Sequence, residues 1–586
     1  MLQALIAYAE REGLGDPDFE TVGVRWLISL TADGRLAGEP IPLADNPGDK
    51  KPRPKRLVRP KSDPDFVSHG RSYFLCDSLE RSAVFVDDDA KREKRRVNQE
   101  YFVGLLEESA KDCPTESNRL RVLATFLRDE TRLADLHSKL ATAKAKTSDN
   151  AAFSVGGHDL LASNELKLWW KKRHQRQRDD QEKIESVCLA TGRFGPICRT
   201  AGFVKLLGED TKLISFNKEC PAFESLGLSQ AANAPVGVAA EGNFRSALNA
   251  LIEKSRGQGL VFSNTVHLHW SREALAEDPI DLLTTADPEP VAALLKSVQA
   301  GQRHVGLDAN AYYALSLSGN GARIVVRDWL ESTVPEVERN IAHWFADLAV
   351  VHPDGMSTRR DFKFGALLYG MVRAELAELS PQIPTQLLHA ALRGRKTPLP
   401  QSALAAALRR QQLDQDNKLN PARLALIKAC LLRSANLSPP DSQPSTPAMS
   451  ESLNPESCDA AYLCGRLFAV FVELQEAALG QVGAGVAERF YASASVTPAL
   501  VMGRLFRNAQ FHASKAEGLG GWRKGKAINA QKDFEEISCA LGDKFPATLD
   551  LESQGRFALG YYHQKADYRR RTAERKEQQA AEAANA

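Results

Sequence analysis

A short segment rich in proline and serine, residues 436–450 (NLSPPDSQPSTPAMS), most constrains how this chain can fold. Four of its fifteen residues are proline and four are serine. The segment has neither the apolar period of a helix nor the alternation of a strand, and its prolines lack backbone donors. It is therefore predicted to be a linker, with Met449 near its end. Mixed strand and helix patterns precede it, and almost purely helical patterns follow it.

These patterns predict an α+β fold in four parts. Residues 1–333 are expected to form a large mixed α/β body, 334–435 a helical region, 436–449 the linker, and 450–586 a C-terminal bundle of the four-helix type. A chain of 586 residues, 43% of them hydrophobic, can bury several cores.

Three local expectations concern the N-terminal body. An alternating pattern around an Asp-Gly pair predicts a two-stranded hairpin over residues 24–43. Residues 188–192 (CLATG) and 213–224 (LISFNKECPAFE) carry strand signals.

Composition restricts the class of protein. The formal net charge is only +2, so any nucleic-acid surface must come from local clusters of charge. No apolar run approaches the roughly 18 residues needed to span a membrane, and no basic leader precedes the first apolar residues. The nine cysteines are scattered and never spaced C-x-x-C, which argues against a disulfide framework and a zinc site. We therefore expect a cytoplasmic protein without a metal or other cofactor.

The first basic cluster is residues 50–62 (KKPRPKRLVRPKS), with seven cations and no acid. Three prolines favour an extended chain, which can present cations along a line that follows a phosphodiester backbone. A solvated surface loop is the alternative. The candidate contacts are Lys51, Arg53, Lys55, Arg56, Arg59 and Lys61.

The second basic cluster is residues 167–178 (KLWWKKRHQRQR), in which six cations flank two tryptophans. Aromatic rings beside cations can stack on bases or cover a core, and core packing is the favoured interpretation for Trp169 and Trp170. Lys171, Lys172 and Arg173 are further candidates for nucleic-acid contact.

Residues 315–329 (LSLSGNGARIVVRDW) predict a glycine turn that leads into a strand. Asn320 lies in the turn, and Arg323 and Arg327 are expected on one face of the strand. The turn and the two arginines could hold a phosphate, or they could belong to an ordinary surface hairpin with solvated arginines.

The C-terminal bundle carries a third basic surface. A helix is expected from Thr497 to Gly518. Its apolar side contains Met502, Leu505, Phe506, Ala509, Ala513 and Ala516, and its opposite side contains Arg504, Arg507, Asn508, Phe511 and Lys515. Arg523, Lys524 and Lys526 follow. Further helices around 528–541 and 551–571 are expected to complete the bundle.

Three motifs suggest catalysis only weakly. His158 and Asp159 form the dipeptide of metal phosphohydrolases, but recognisable additional ligands are missing. His267 and His269 face one side of a strand without an obvious third ligand. Residues 520–526 (GGWRKGK) approach a phosphate-binding loop, but Ala527 replaces the expected hydroxyl residue. We expect a non-enzymatic protein.

Many segments, in order along nearly the whole chain, resemble the large subunit of the type I-C CRISPR surveillance complex, Cascade. They include FLCD at 74, CLATG at 188, LSLSGNGARIVVRDW at 315, AALRGRKTPLP at 390, AYLCGRLFAV at 461 and FPATLDLESQGRFALGYYHQ at 545. The resemblance implies a non-catalytic subunit that binds near the 5′ handle of the CRISPR RNA and reads the protospacer-adjacent motif in duplex DNA.

The resemblance also suggests roles and partners. The cations of 51–61 and the Asn320, Arg323 and Arg327 group would contact DNA near the motif, and the basic face of the bundle would hold the displaced strand. Implied partners are repeated backbone subunits, the subunit that processes the RNA handle, a small subunit, and a helicase-nuclease recruited to the R-loop. Met449 would be an internal start for a small subunit. The rival interpretations are a nuclease built on the histidine motifs, and an architectural subunit that contacts only CRISPR RNA.

Overall fold

The computed structural model describes the chain apart from residues 15, 17, 46–51, 53, 63–69, 180–183, 218–219, 225, 263, 300–309, 415–418, 436–448, 481, 543–544 and 586. Contacts divide it into two compact units. The first comprises Met1–Lys205 and Asp210–Ala250, and the second Leu206–Glu209 and Leu251–Ala586. The expected mixture of helices and strands is confirmed. The sequence boundaries at 333 and 436–449 stay predictions, because most of the expected linker lies outside the described residues.

The N-terminal elements, up to the helix that crosses the boundary at Ala250, mix short strands with long helices. In chain order they are α1 (Leu2–Arg11), β1 (Phe19–Val24), β2 (Trp26–Leu30), β3 (Ile41–Pro42), β4 (Lys55–Pro60), β5 (Cys76–Ser78), α2 (Leu79–Ser82), α3 (Asp89–Asp112), α4 (Ser117–Arg128), α5 (Glu130–Thr142), β6 (Asn150–Val155), β7 (His158–Asp159), α6 (Asn164–Asp179), β8 (Glu185–Val187), β9 (Phe194–Pro196), β10 (Val204–Leu206), β11 (Glu209–Thr211), α7 (Pro221–Glu224) and α8 (Val238–Gly257).

A five-stranded sheet organises the core of the first unit. Its order is β3-β2-β6-β5, with β7 added to β6. The central strands β2 and β6 are parallel, with Trp26 opposite Ala151 and Leu30 opposite Val155. Strand β6 is buried over most of its length, as expected for a strand covered on both faces. A separate antiparallel ribbon pairs β1 with β4 along six residues of each strand.

The hairpin expected over 24–43 is only partly correct. Gly34 has the positive φ that the turn requires, +80°. However, β2 pairs with β3 over two residues, and its longer partner is the parallel strand β6. A parallel partner more than a hundred residues away leaves no trace in a local pattern, so the sequence could not indicate it.

The two strand expectations further along the chain are wrong. Residues 188–192 form the turn of a short β8–β9 hairpin, in which Gly192 has φ +72°. No strand is present among the described residues of 213–224. That segment instead packs Phe216 against Phe223 and ends in α7, where Pro221 takes the first helical position.

The second unit combines a four-stranded antiparallel sheet and a small two-stranded one with many helices. Its elements are β12 (Val261–Phe262), β13 (Thr265–Ser271), α9 (Asp281–Thr285), α10 (Pro288–Gln299), β14 (Ala311–Asn320), β15 (Arg323–Thr333), α11 (Val334–Asp347), β16 (Val350–Val351), β17 (Thr358–Arg359), α12 (Phe364–Tyr369), α13 (Gln382–Arg393), α14 (Gln401–Leu413), α15 (Pro421–Ala435), α16 (Ala460–Leu479), α17 (Val486–Val496), α18 (Pro498–Leu519), α19 (Gly521–Leu541) and α20 (Leu551–Asn585). The sheet order is β12-β13-β14-β15.

The C-terminal bundle surrounds α16, which is buried on nearly all sides. Besides the four long helices α16, α18, α19 and α20, the bundle contains the shorter helix α17. Helices α16 and α20 approach closely at two glycines. A methyl group at Gly560 would overlap the carbonyl oxygen of Tyr462, and one at Gly465 would overlap that of Phe557. Glycine is therefore required on both sides of this helix crossing.

Helix α18 has the two faces that its sequence predicts. Met502, Leu505, Ala509, Ala513 and Ala516 are buried, and Phe506 is partly buried. The helix ends at Leu519 rather than Gly518, because Gly520 takes the left-handed conformation, φ +69°, that terminates it.

Among the described residues, no helix combines the length and the apolar character that crossing a bilayer requires.

Candidate nucleic-acid interface

The first basic cluster lies mainly in β4, one strand of the β1–β4 ribbon. Lys51 and Arg53 lie outside the described residues. Lys55 and Arg56 are exposed. Arg56 lies on the same face of the strand as Val58, two residues on, and Val58 is paired with Thr21 of β1. This face of the ribbon therefore carries a cation beside an exposed apolar residue.

Arg59 corrects the expectation that the whole cluster is exposed. Its side chain is buried, and its Nε and Nη2 donate to Oε1 of Glu20 at 3.0 and 2.9 Å. The guanidinium also lies 3.4 Å from the ring centroid of Tyr73. Burial opposes the charged form, but the charge of Glu20, together with those of Tyr73, Cys76 and Asp77, outweighs it, and the pKa of Arg59 is raised. Arg59 therefore joins β4 to the core and is not available to a phosphate.

Lys61 is also buried, contrary to the expectation. Its Nζ donates to the backbone oxygen of Asp16 at 2.5 Å. Burial lowers the pKa of the Lys61 ammonium, and the charge of Arg245 lowers it further. Residues 59–61 are all buried, so among the described residues of this cluster the line of exposed cations ends at Arg56.

The second basic cluster lies in α6, and its tryptophans pack in the core as expected. Trp170 stacks between Phe74, at 5.4 Å, and His174, at 5.7 Å between ring centroids. The indole Nε1 of Trp169 donates to Asp112 at 3.0 Å. These contacts leave neither ring on the surface for stacking on bases.

The cations of α6 differ in their surroundings. Lys171 and Lys172 are exposed. Arg173 donates from Nε to the Glu108 carboxylate at 3.1 Å and lies 5.2 Å from the ring centroid of Trp170. Its side chain is largely buried, so Arg173 connects α6 to α3 and is a weaker candidate than the two lysines.

A cleft of about 650 Å³ separates α6 from the β1–β4 ribbon. Asn164, Lys167, Leu168 and Lys171 line it from α6, and their spacing places all four on one face of the helix. From the ribbon, Phe19, Thr21 and Val58 line the opposite wall. Val58 of the first basic cluster and the cations Lys167 and Lys171 of the second, roughly a hundred residues apart in sequence, thus line one cleft.

The third candidate group belongs to the β14–β15 hairpin. Asn320 pairs with Arg323 across a two-residue turn, and Gly321 at its first central position has φ +58°. Gly319 lies within β14 opposite Ile324 rather than in the turn. The tip therefore presents Asn320 and Arg323 side by side.

A β-bulge places Arg327. Ser316 is opposite Asp328 and Leu317 is opposite Val326, so Arg327 is the additional residue. Its Nε donates to Ser318 Oγ at 2.7 Å. Ser318 is opposite Val325, which shares a face with Arg323, so the Arg327 guanidinium reaches the face of Arg323.

Two side chains of helix α13 contact the residues beside the bulge. Arg393 Nη2 donates to Asp328 Oδ1 at 2.6 Å, and His389 Nε2 lies 3.1 Å from Asp328 Oδ2 and from Ser316 Oγ. Burial lowers the pKa of His389. These contacts fix the base of the hairpin while its tip stays exposed.

The basic face of α18 is exposed. Arg504, Arg507 and Lys515 all point away from the core, and the Arg504 guanidinium lies 5.5 Å from the ring centroid of Phe490. Phe511, on the same side of the helix, is 70% exposed. A row of cations with an uncovered aromatic ring can bind a single nucleic-acid strand through its phosphates and bases.

The cations that begin α19 are not equivalent. Lys526 Nζ lies 2.9 Å from Glu473 Oε1 and 3.1 Å from Glu476 Oε2 of α16. Arg523 Nη1 points to the carbonyl oxygens of Ala477 and Ala478 at the end of α16, at 3.4 and 3.5 Å. Contrary to the expectation for this group, Arg523 and Lys526 make contacts within the bundle. Lys524 is exposed.

The motifs that suggested catalysis make structural contacts. His158 lies 3.0 Å from Glu116, and Asp159 accepts the backbone N–H of Leu161. His267 is buried with Nδ1 2.8 Å from Ser316 Oγ, and burial lowers its pKa to about 3. His269 is held between Asp278 and Gln258. Residues 521–526 lie in helix α19. Across the described residues, no group of three or more His, Cys, Asp or Glu side chains is arranged to hold a metal ion.

Sequence reasoning missed several residues of the cleft. Lys167 lies four residues before Lys171, and that helical spacing could have identified it. Thr21 and Asn164 carry no comparable signal, because they reach the cleft only through the packing of α6 beside the ribbon.

Comparisons with known proteins extend these observations. Residues 5–569 match the sequence profile of a family described as CRISPR-associated protein (Cas_Csd1). A comparison with curated proteins finds no match. The family match covers nearly the whole chain and both compact units, so it assigns the chain to this family.

Proposed function

We propose that this chain, which belongs to the Csd1 family of CRISPR-associated proteins, recognises the protospacer-adjacent motif in duplex DNA and stabilises the R-loop. The family is that of the large subunit of the type I-C CRISPR surveillance complex, as the sequence resemblance indicated. In such complexes, guide pairing supplies sequence specificity, and the protein contributes backbone contacts and a few contacts to base edges.

The cleft between α6 and the β1–β4 ribbon is the observation that best supports nucleic-acid contact by the first unit. It brings Lys167 and Lys171 opposite the ribbon face that carries Arg56. The family assignment gives these cations a polyanionic partner. The tip of the β14–β15 hairpin, with Asn320, Arg323 and Arg327, is a second contact region, since an amide and two guanidinium groups suit base edges and phosphates.

The exposed face of α18 is the proposed path of the displaced strand. Arg504, Arg507 and Lys515 supply phosphate contacts, and Phe511 supplies a surface on which a base can stack. Lys524 extends this surface onto α19. This basic surface, called the α18 face below, needs no base-specific contact, because the displaced strand varies from target to target.

The proposed role is non-catalytic. His158, His267 and His269 are occupied by neighbouring side chains, so they do not favour the rival nuclease. Cleavage would belong to the recruited helicase-nuclease. CRISPR RNA, the repeated backbone subunits, the RNA-handle-processing subunit and a small subunit are the other proposed partners, in the cytoplasm.

Charge removal on the α18 face tests the R-loop role. In the assembled complex, the triple variant Arg504→Gln, Arg507→Gln, Lys515→Gln should reduce R-loop yield. The slope of log affinity for single strands against log salt should fall by about 2, since each lost phosphate contact contributes about 0.7. Arg489→Gln, an exposed cation on α17, is the matched control. An R-loop yield and slope equal to those of the control would overturn the assignment.

We further propose that Met449 starts a second translation product that spans residues 449–586. Its helices hold a core of their own. However, Leu559, Tyr562 and Ala566 of α20 pack in the core shared with α11–α15, which this product would lack. We therefore expect it to occur bound within the complex, where a neighbour covers this surface. Intact mass measurement of natively expressed complex should detect it, and a Met449→Leu variant should remove it. If the wild-type complex lacks the product, this proposal is wrong.

A further inference from the structure

We infer that the cleft between α6 and the β1–β4 ribbon holds one unpaired nucleic-acid strand, with a base between the apolar walls and phosphates on Lys167 and Lys171. This inference rests on the proposed function and specifies the ligand of one of its sites. The strand could be CRISPR RNA or unwound DNA, since both offer the same base and phosphate chemistry to the cleft.

The size of the cleft favours a single strand. About 650 Å³ lies within the range of roughly 300–1,000 Å³ that is typical for drug-sized ligands, and one nucleotide is of that size. In a duplex, by contrast, the bases are stacked and paired and show only their edges in the grooves. A duplex resting on the rim would leave the interior of the cleft unfilled.

The walls of the cleft carry apolar surface that an unpaired base can cover. Val58 on the ribbon is 50% exposed, and Leu168 on α6 is 60% exposed. Phe19 also lines the cleft and is largely buried. Exposed apolar side chains on facing walls indicate a ligand with a flat apolar surface, and every base has such a surface.

The lysines are spaced for a phosphodiester backbone. Lys167 and Lys171 are four residues apart on α6, which places their Cβ atoms about 5–6 Å apart on one face. Lys171 Nζ lies 5.7 Å from the ring centroid of Phe19, at the edge of the apolar wall. Lys167 Nζ donates to the backbone oxygen of Ala162 at 3.4 Å and carries two further N–H donors. Both ammonium groups can therefore contact phosphates while the base lies deeper.

Two carboxylates also line the cleft, and their contacts limit their repulsion of a phosphate. Glu20 is neutralised by Arg59, its partner at 2.9 Å. Asp16 Oδ1 accepts the backbone N–H groups of Asp18 and Phe19 at 2.8 and 3.2 Å. With the Glu20–Arg59 pair neutral, the lining has two ammonium groups against one carboxylate, a balance that favours an anionic ligand.

The test compares strand types on the full-length chain. Fluorescence anisotropy would measure binding of labelled oligo(dA), oligo(A) RNA and a short DNA duplex by wild type and by the double variant Lys167→Gln, Lys171→Gln. For the strand that occupies the cleft, we expect affinity to fall roughly tenfold and the salt slope to fall by about 1.4, two contacts of about 0.7 each. Duplex binding should be unchanged. Lys111→Gln, an exposed lysine of α3 that does not line the cleft and is not a candidate contact, is the matched control.

The outcomes separate the source of the strand from failure of the inference. A loss confined to oligo(A) RNA supports CRISPR RNA in the cleft, and a loss confined to oligo(dA) supports unwound DNA. Equal loss for single strands and duplex overturns the single-strand inference but leaves the proposed function intact. No loss relative to Lys111→Gln also overturns it. The proposed function fails separately, if the assembled complex does not distinguish targets with and without the motif.

A photocrosslinking amino acid in place of Leu168 provides a second measurement in the assembled complex. Leu168 is exposed at the cleft, so replacement should not disturb folding. Crosslinks to one strand, RNA or DNA, support the inference. Crosslinks to both strands of a paired duplex segment contradict it.

Discussion

The β1–β4 ribbon and helix α18 both contain rows of cations that the sequence predicts to be exposed, yet only the helix presents them all. Arg504, Arg507 and Lys515 of α18 are exposed. On the ribbon and just after it, Arg59 and Lys61 are buried. The same residue types thus have opposite environments in the two segments, so the presence of cations alone does not identify a binding surface.

The difference arises because the sequence of α18 itself indicates which face is exposed, whereas the sequence of β4 does not. Helix α18 contains its own apolar face, with Met502, Leu505 and Ala509, so the position of its outer face follows from 3.6-residue periodicity. In strand β4 the adjacent apolar residues Leu57 and Val58 lie on opposite faces, so its sequence does not indicate which face is buried. Arg59 becomes internal because Glu20 and Tyr73, distant in sequence, supply a carboxylate and an aromatic ring around it. Partners in other elements determine which cations of a strand are buried.

The largest expected effect comes from removing the buried cation of this comparison. Arg59→Ala should lower the free energy of unfolding by about 3 kcal/mol, because it leaves Glu20 and the Cys76 carbonyl without their partner in the interior. The Glu20 side chain retains 18% exposure, which keeps the loss at the low end of the range for broken buried pairs. Urea denaturation followed by intrinsic tryptophan fluorescence, to which Trp26, Trp169 and Trp170 of the first unit contribute, would measure it.

Arg504→Ala is the control for this prediction. It removes a cation from the exposed α18 face and should change stability by less than about 0.5 kcal/mol. The double variant Glu20→Gln, Arg59→Met should recover much of the lost stability, since replacing both partners leaves no unpaired charge. Equal stability of Arg59→Ala and Arg504→Ala would remove the distinction between the two regions.

The same contrast explains how much of the structure could be predicted. The faces of α18, the β14–β15 hairpin and the burial of Trp169 and Trp170 follow from local periodicity, turn residues and ring size. The bulge that places Arg327 could not be predicted, because alternation gives no sign of an additional residue. The cleft could not be predicted either, since it exists only where α6 packs beside a ribbon formed by distant segments.

A pair of glycine substitutions extends the comparison to the interior and exterior of the bundle. Gly560→Ala should destabilise the protein by about 2 kcal/mol, because the added methyl group overlaps the backbone of α16. Gly503→Ala, on the exposed side of α18, meets no neighbouring atom and should stabilise by about 0.5–1 kcal/mol through helix propensity. Thermal denaturation of both variants measures the difference. Similar shifts in Tm would mean that α16 and α20 are not in close contact.

The pH dependence of stability compares a buried histidine with a half-buried one, and its expected effect is smaller. Burial lowers the pKa of His563, packed beside Tyr462, to about 3, and the charge of Lys428 adds to this effect. His563 takes up a proton near pH 6.5 in the unfolded chain but not in the folded chain. Its contribution to the free energy of unfolding is therefore complete above pH 6.5 and declines as the pH falls toward 3. The expected loss is about 1.4 kcal/mol per pH unit for this histidine.

A substitution isolates this contribution. His563→Gln should reduce the slope of unfolding free energy against pH between 6.5 and 5.5, measured by urea denaturation at each pH. His512→Gln, at a half-buried position of α18, is the control and should reduce the slope less. If both variants keep the wild-type slope, His563 is not protonated on unfolding in this range.

The smallest expected effects distinguish two lysines that lie two residues apart on α19. The sequence predicts both lysines to contact nucleic acid. In the structure, Lys526 contacts Glu473 and Glu476 within the bundle, whereas Lys524 is exposed. Lys526→Gln should cost about 1 kcal/mol of stability, limited because Lys565 also contacts Glu473 at 3.0 Å. Lys524→Gln should leave stability unchanged and lower the salt slope of single-strand binding by about 0.7. If instead Lys524→Gln lowered stability and Lys526→Gln lowered the salt slope, their environments would not distinguish structural from binding cations. The contrast between the helices and the ribbon would then disappear.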